Sequence, residues 1–273
     1  MTRIYSKPIK AVTGGIIFMF AILPFYLLIL IATKGPAGGL SSINLIPEFH
    51  LSNFLNAWNK ASMGRAMLNN SIITIGAVSL LIFLSGMAGF SIARIKSVLN
   101  VWIFRILLMS MMIPGIINTV PLYSLLIKLR GINTYWAMIA VLTANALPFA
   151  VFLYTGFIRA IPEALEESAF MDGCSPFRSY WLITLPLIKP VTASVVILQG
   201  LGMWNNYAQA VFFLPGREMR NIPLAISLFF QQYGADWPLM AAAALIGLIP
   251  VVFAFLVFQK YFISGITQGA IKG

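Results

Sequence analysis

Charged positions divide this chain into long apolar runs. Six uncharged intervals, 11–33, 66–93, 106–127, 131–158, 190–216 and 237–259, are each long enough to cross a bilayer, which takes roughly 20 apolar residues. Each is predicted to be a helix, because only a helix or a closed barrel satisfies its own backbone inside lipid. A seventh uncharged interval, 221–235, is shorter and holds Gln231, Gln232 and Gly234, so it reads as an interfacial or loop helix. Arg3, Lys7 and Lys10 precede the first apolar run as they would in a signal peptide, but the run is too long and lacks a small-residue cleavage site. It is read as an uncleaved first span.

The residues within and between these runs add detail. Segment 34–65 reads as an external loop, with Gly35-Pro36, Gly38-Gly39 and Pro47 as turn residues and a short amphipathic helix over 51–58. Gly76, Ser85, Gly86, Ala88 and Gly89 let the second span pack closely against a neighbour. Pro114-Gly115 and Pro121 predict a kinked or interrupted third span, which is either a gating device or an ordinary kink. Asn145 lies in the fourth interval, and Gln199, Trp204, Asn205, Asn206 and Gln209 lie in the fifth. Amides are costly in lipid and face either an aqueous path or another helix. Asn145, Gln199, Trp204, Asn205 and Asn206 are the candidate substrate-path residues. The chain is expected to end in interfacial anchors, Gln259-Lys260-Tyr261-Phe262, and a small flexible tail from Ser264 to Gly273.

One stretch is unlike the rest. Residues 162–186 hold four of the seven acids, Glu163, Glu166, Glu167 and Asp172. Pro162 and the glutamates suit the first turn of a helix, and Gly173 supplies a left-handed stop. Ser175-Pro176 restarts a second helix as N-cap and first-turn proline. Such a segment is too short and too charged to cross a bilayer, so it lies outside the hydrocarbon.

Composition agrees with a membrane protein. The chain is 60% hydrophobic and 9% charged, with a mean hydropathy of +0.90, whereas soluble domains are about a quarter charged. The net charge of +11 therefore reflects basic residues at helix ends and anionic lipid, not nucleic acid. Cys174 has no disulfide partner, and His50, the single histidine, excludes a histidine-based metal site. No Gly-Lys dipeptide occurs, so the phosphate-binding P-loop is absent. With the N-terminus in the cytoplasm, segments 1–10, 94–105, 159–189 and 260–273 lie inside and carry eleven of the 18 basic residues. That bias favours cytoplasmic N- and C-termini, and it places the acidic loop 159–189 in the cytoplasm too.

The acidic stretch resembles the EAA motif of ABC importer permeases: Glu-Ala-Ala, three residues, Gly, nine residues, Ile-x-Leu-Pro. Glu167-Ser168-Ala169, Gly173 and Ile183-Thr184-Leu185-Pro186 fit it, with Ser168 in place of an alanine. From about Met111 onward the chain is similar to the carbohydrate-uptake, maltose-type branch. Met112-Ile113-Pro114-Gly115, Pro121-Leu122-Tyr123, Trp204-Asn205-Asn206 and the ending Gly265 to Gly273 carry that likeness. Asn206 stands where the branch often has aspartate.

The resemblance implies an all-α membrane protein of the type I ABC importer permease fold, a single domain over 1–273 with six transmembrane helices and a cytoplasmic coupling-helix loop. It implies a bacterial inner-membrane chain that is no enzyme itself. Its partners would be a second homologous permease, two ATP-binding subunits that bind ATP and Mg, and an extracytoplasmic solute-binding protein. The loop would couple to the ATPase: Glu163, Glu166, Glu167 and Asp172 as surface partners for basic groups, Leu165, Ala169 and Phe170 as the apolar docking face, Gly173 as the elbow, and Ile183, Leu185 and Pro186 completing the motif. A polyol or glycerophosphodiester is the alternative cargo. A self-contained secondary transporter or channel is the alternative class, disfavoured because no span carries an ionisable residue and no internal repeat is visible.

Overall fold

The computed structural model describes residues 6–35, 48–231 and 234–270. The described residues form helices and connecting turns, apart from one hairpin of two-residue strands. Among the described residues four helices are long and apolar enough to cross a membrane, and two sharply bent helix pairs bring the number to as many as six when each is counted as one span.

The residues group into two compact units, Met1–Gly64 with Ala225–Ile249, and Arg65–Leu224 with Pro250–Gly273. In the first, α1 (Ser6–Ala32) exposes nearly its whole circumference, as a lipid-clad helix does. α2 (Ser52–Lys60) is fastened to the end of α1 by Asn53, which is buried and donates to the carbonyls of Ala32 (2.9 Å) and Lys34 (2.8 Å). The glycines and prolines between residues 36 and 47, read as an external loop, lie outside the described residues.

The second unit is built on α3 (Met63–Arg94), a proline-free helix of 32 residues. After a tight turn come α4 (Val98–Ser110), a 3₁₀ turn (Gly115–Asn118) and α5 (Thr119–Lys128). The axis bends by 98° across the Pro114-Gly115 break. The third apolar interval is thus two helices, and the first of them begins well before residue 106. α6 (Tyr135–Arg159) follows, with Pro148 inside it. The loop then contributes α7 (Ala164–Met171), α8 (Pro176–Ser179), a widened π-type turn (Tyr180–Thr184) and α9 (Leu185–Leu187).

α10 (Lys189–Trp204) starts at a 73° bend from the helical stretch Pro176–Leu187, flanked by Pro186 and Pro190, and stops at Trp204. The fifth interval therefore does not stay helical to 216: the chain opens at Asn205 and re-forms one turn, α11 (Ala210–Phe213). The carbonyls freed at this break are held by amide side chains. Asn70 donates to Trp204 (3.1 Å) and Asn221 to Asn206 (2.8 Å), whereas Asn205 adds a second bond (3.0 Å) to the Leu201 carbonyl, which already accepts the Asn205 N–H. In lipid such groups must find partners, which explains amides within an apolar run.

Interval 221–235 contains the short α12 (Ile222–Ser227) and then the antiparallel strands β1 (Phe230–Gln231) and β2 (Gly234–Ala235), a hairpin that apolar patterning did not foretell. α13 (Trp237–Ala270) begins at Asp236, whose carboxylate accepts the N–H of Leu239 (3.3 Å). It continues to Ala270, so the expected flexible tail from Ser264 is helical at least that far.

The core of the second unit is the seam of α3, α6 and α10, where Ala77, Leu81, Met138, Val141, Tyr154, Val191 and Val195 are buried together. Small residues set the spacing. A Cβ on Gly89 would lie 2.7 Å from Tyr154 Cβ and 3.2 Å from the Thr155 nitrogen, so α3 and α6 meet there nearly backbone to backbone.

Candidate functional site

Two sites emerge in the second unit, the acidic loop at one end of α3 and a polar cavity between the helix breaks. In the loop, α7 is eight residues long, with Glu163 as its N-cap, and Glu166 and Glu167 in its first turn sit where the helix dipole favours carboxylates. It ends in a Schellman motif: the Cys174 N–H reaches the Ala169 carbonyl (2.9 Å) and the Gly173 N–H that of Phe170 (3.0 Å), with Gly173 at φ +82°. Ser175 caps α8 by accepting the Arg178 N–H (3.3 Å), and Pro176 follows at its first position.

Helical periodicity sorts the side chains of α7. Glu163, Glu167 and Phe170 point outward with Leu165 and Asp172, all exposed. Glu166 and Ala169, three residues apart, point inward and are buried. This corrects the expectation for both: neither lies on a surface that a partner could touch. Glu166 instead accepts from Arg94 Nε at 2.6 Å and from the Thr184 hydroxyl at 3.0 Å, while Arg94 also donates to the Ile161 carbonyl at 2.9 Å. One buried carboxylate thus joins the end of α3, the start of the loop and the π-type turn, with both charges paired and hydrogen-bonded as burial requires. Of the later motif residues, Leu185 packs on the core, Ile183 is half-buried and Pro186 is exposed. Phe177 and Trp181 are exposed and stack edge-on with ring centres 6.1 Å apart.

The cavity has a volume of about 520 Å³, within the range of small-molecule sites. Ser110 and Asn118 reach it from the α4–α5 break, Asn145 from α6, Gln199 from α10, and Asn206 and Gln209 from the break after α10. Both irregular stretches therefore line one space, which is where non-helical backbone is tolerated at membrane depth. No charged side chain lines it.

Of the five candidate path residues, the cavity gathers Asn145, Gln199 and Asn206. Trp204 faces a separate apolar groove between α3, α10 and α13, and the Asn205 amide is engaged on its own helix. Asn206 also accepts the Gln209 N–H at 3.2 Å and so shapes the break. Sequence reasoning passed over Asn118 and Ser110. The available signal was Asn118 itself, an amide just past Pro114-Gly115 in an apolar run. Arg94 and Thr184 were missed because nothing local pairs them with Glu166.

The family described as "Binding-protein-dependent transport system inner membrane component" matches residues 82–268. The melibiose/raffinose/stachyose import permease protein MelC of Bacillus subtilis (strain 168) is 37% identical over 273 residues, covering 99% of both chains. The arabinooligosaccharides transport system permease protein AraQ of Halalkalibacterium halodurans is 33% identical over 268 residues, 96% of this chain and 95% of that one. The probable starch degradation products transport system permease protein AmyC of Thermoanaerobacterium thermosulfurigenes is 30% identical over 268 residues, 98% and 97% of the two chains. A crystal structure of a bacterial ABC transporter involved in the import of the acidic polysaccharide alginate shares the fold, with a TM-score of 0.80 at 17% identity over 96% of this chain and 99% of that chain. With its helices long enough to cross a bilayer and a match spanning well over half its length, this multi-pass membrane protein belongs to the family of binding-protein-dependent transport system inner-membrane components.

Proposed function

We propose that this chain is one permease half of an ATP-driven importer for a sugar or short oligosaccharide, and that the cavity of Asn118, Asn145, Gln199, Asn206 and Gln209 lies on the translocation path. The observation that carries the reading is the cavity wall: amides and a hydroxyl without a charge. Amides both donate and accept, so they can exchange hydrogen bonds with successive hydroxyls of a passing sugar. A glycerophosphodiester would need a cation to balance its phosphate, and the wall has none. The relatives named for melibiose, raffinose, stachyose and arabinooligosaccharides support the same class of cargo.

In this reading a second homologous permease completes the path, a solute-binding protein delivers the sugar, and two separate subunits bind and hydrolyse ATP with Mg. The loop 159–189 lies in the cytoplasm and docks on the ATPase through exposed Glu163, Glu167 and Asp172, with Leu165 and Phe170 as apolar contacts. Gly173 fixes the angle between the two short helices. A rigid helix pair attached to α6 and α10 passes the closure of the ATPase to the path as a rigid-body movement.

The test is uptake by a deletion strain complemented with this chain, using labelled melibiose, raffinose and an arabinooligosaccharide beside glycerol and a glycerophosphodiester. Accumulation of a sugar that stops when ATP is depleted supports the proposal. Uptake of the phosphodiester in preference to every sugar, or sugar uptake that persists without ATP, overturns it.

A further inference from the structure

We propose that the cavity under the α3–α4 turn binds the phosphate headgroup of an anionic phospholipid. This pocket, about 520 Å³ in volume, is bordered by Lys96, Arg105 and Arg159 together with Ser97 and Asn100, and no acid lines it. It lies at the membrane end that carries the acidic loop, since Arg159 is the last residue of α6.

The turn above the pocket is held in a fixed shape. Ser97 caps α4 by accepting the Asn100 N–H at 3.1 Å, and the Asn100 amide donates to the Ser91 and Ile95 carbonyls, both at 2.9 Å. Two of the cations are oriented by aromatic rings rather than by acids. The Arg105 guanidinium lies 5.3 Å from the centre of the Trp102 ring, and that of Arg159 lies 5.3 Å from Phe104. Such stacking fixes the guanidinium plane and leaves its N–H groups free for an oxyanion. The ion pairs among the described residues involve Arg65, Arg94 and His50, so none of the three pocket cations has a carboxylate within 4 Å. Arg94, close by in sequence, is neutralised by Glu166; these three are not.

A free phosphate and a lipid headgroup share the chemistry such a pocket recognises. The surroundings favour the lipid. Val98, Leu99, Trp102 and Ile106 of α4 are all exposed, an apolar row beside the basic pocket that would serve acyl chains but not a free ion. Tryptophan and arginine side by side are also what a membrane interface selects.

The test uses this chain purified with the subunits that accompany it, delipidated in mild detergent and examined by native mass spectrometry. Phosphatidylglycerol, phosphatidylcholine and inorganic phosphate are the probes. Wild type should retain phosphatidylglycerol over phosphatidylcholine. The K96Q/R105Q/R159Q variant should lose that retention by about fivefold per residue, on the order of 100-fold in all, while K96R, which keeps the charge and leaves both stacked guanidinia in place, retains it. Should the triple variant fail to assemble, R105Q alone should show the fivefold loss. Equal retention of the two lipids, or retention unchanged in the glutamine variants, overturns the proposal. Full displacement of phosphatidylglycerol by inorganic phosphate assigns the pocket to the free anion and also overturns it. Loss of an accompanying subunit with lipid retention intact would show that the cations meet an acidic protein surface instead.

Discussion

Arg94 and Glu166 stand 72 residues apart in the chain and 2.6 Å apart in space, at the junction of the longest span of the second unit with the acidic loop. The loop therefore is not suspended from α6 and α10 alone; it is also fastened to α3 by a buried ion pair.

Removing either partner leaves an uncompensated buried charge, which costs about 3 kcal/mol or more. Glu166→Ala and Arg94→Ala should each lower the melting temperature of the purified assembly sharply and reduce uptake. Because a buried pair can be replaced by apolar residues of similar volume at little cost, the double variant R94M/E166L should recover most of the lost stability. A double variant no more stable than the worse single one would show that the pair is not the source of the effect.

Gly173 sits at φ +82° with nothing within 4 Å of where a Cβ would project. The penalty for substitution is thus conformational, about 1–2 kcal/mol for an L-residue in this region and more for a β-branched one. Gly173→Val should leave membrane insertion intact while ATP hydrolysis proceeds without matching uptake. Gly173→Asn should be close to wild type, because asparagine tolerates the left-handed region. Comparing transported sugar per ATP hydrolysed reads the difference, and normal stoichiometry in Gly173→Val would remove the loop from the coupling step.

Gln199 and Asn205 lie six residues apart in the fifth apolar interval and have different surroundings. Gln199 lines the cavity, whereas the Asn205 amide caps Leu201. Loss of one hydrogen-bonding partner is worth about 1 kcal/mol, so Gln199→Leu should reduce uptake at limiting sugar about fivefold, and Asn145→Ala should act similarly. Asn205→Ala should change protein stability more than uptake. The reverse ranking would move the path away from the cavity.

Gly89 allows the close approach of α3 to α6 at Tyr154. Overpacking there forces backbone to move, at a cost of about 1–3 kcal/mol. Gly89→Val should reduce the amount of assembled protein several-fold, by quantitative blotting of membranes, while Gly156→Val, where a Cβ would meet open space, should not.

Much of this was legible in the sequence, because a bilayer imposes length and apolarity on anything that crosses it. Pro114-Gly115 announced the break that the structure realises as a 98° bend, and Gly173 and Ser175-Pro176 announced the elbow of the loop. The stop at Trp204 was hidden inside a run that stays apolar to residue 216, since the groups that satisfy the break, Asn70 and Asn221, come from elsewhere in the chain. Glu166 was assigned to the surface with its acidic neighbours because composition does not tell inward from outward on so short a helix. Its pairing with Arg94 is a tertiary fact, although its spacing from Ala169 already placed the two on one face. Amides proved divided in their duties: Asn70 holds a carbonyl at the break, Asn205 is engaged on its own helix, Gln199 and Asn145 face open space, and Asn206 both lines the cavity and shapes the break.

α1, α6 and α13 contain Pro24, Pro148 and Pro250, while α3 runs 32 residues without one. Asn70, near one end, grips the carbonyl at the α10 break, and Arg94, at the other, grips the acidic loop. The two grips are separated by about 36 Å of uninterrupted helix, at 1.5 Å per residue. Mechanically α3 is a pushrod without a joint. Between the two grips no proline interrupts the hydrogen-bond ladder, so the acidic loop and the wall of the cavity are tied to one continuous helix.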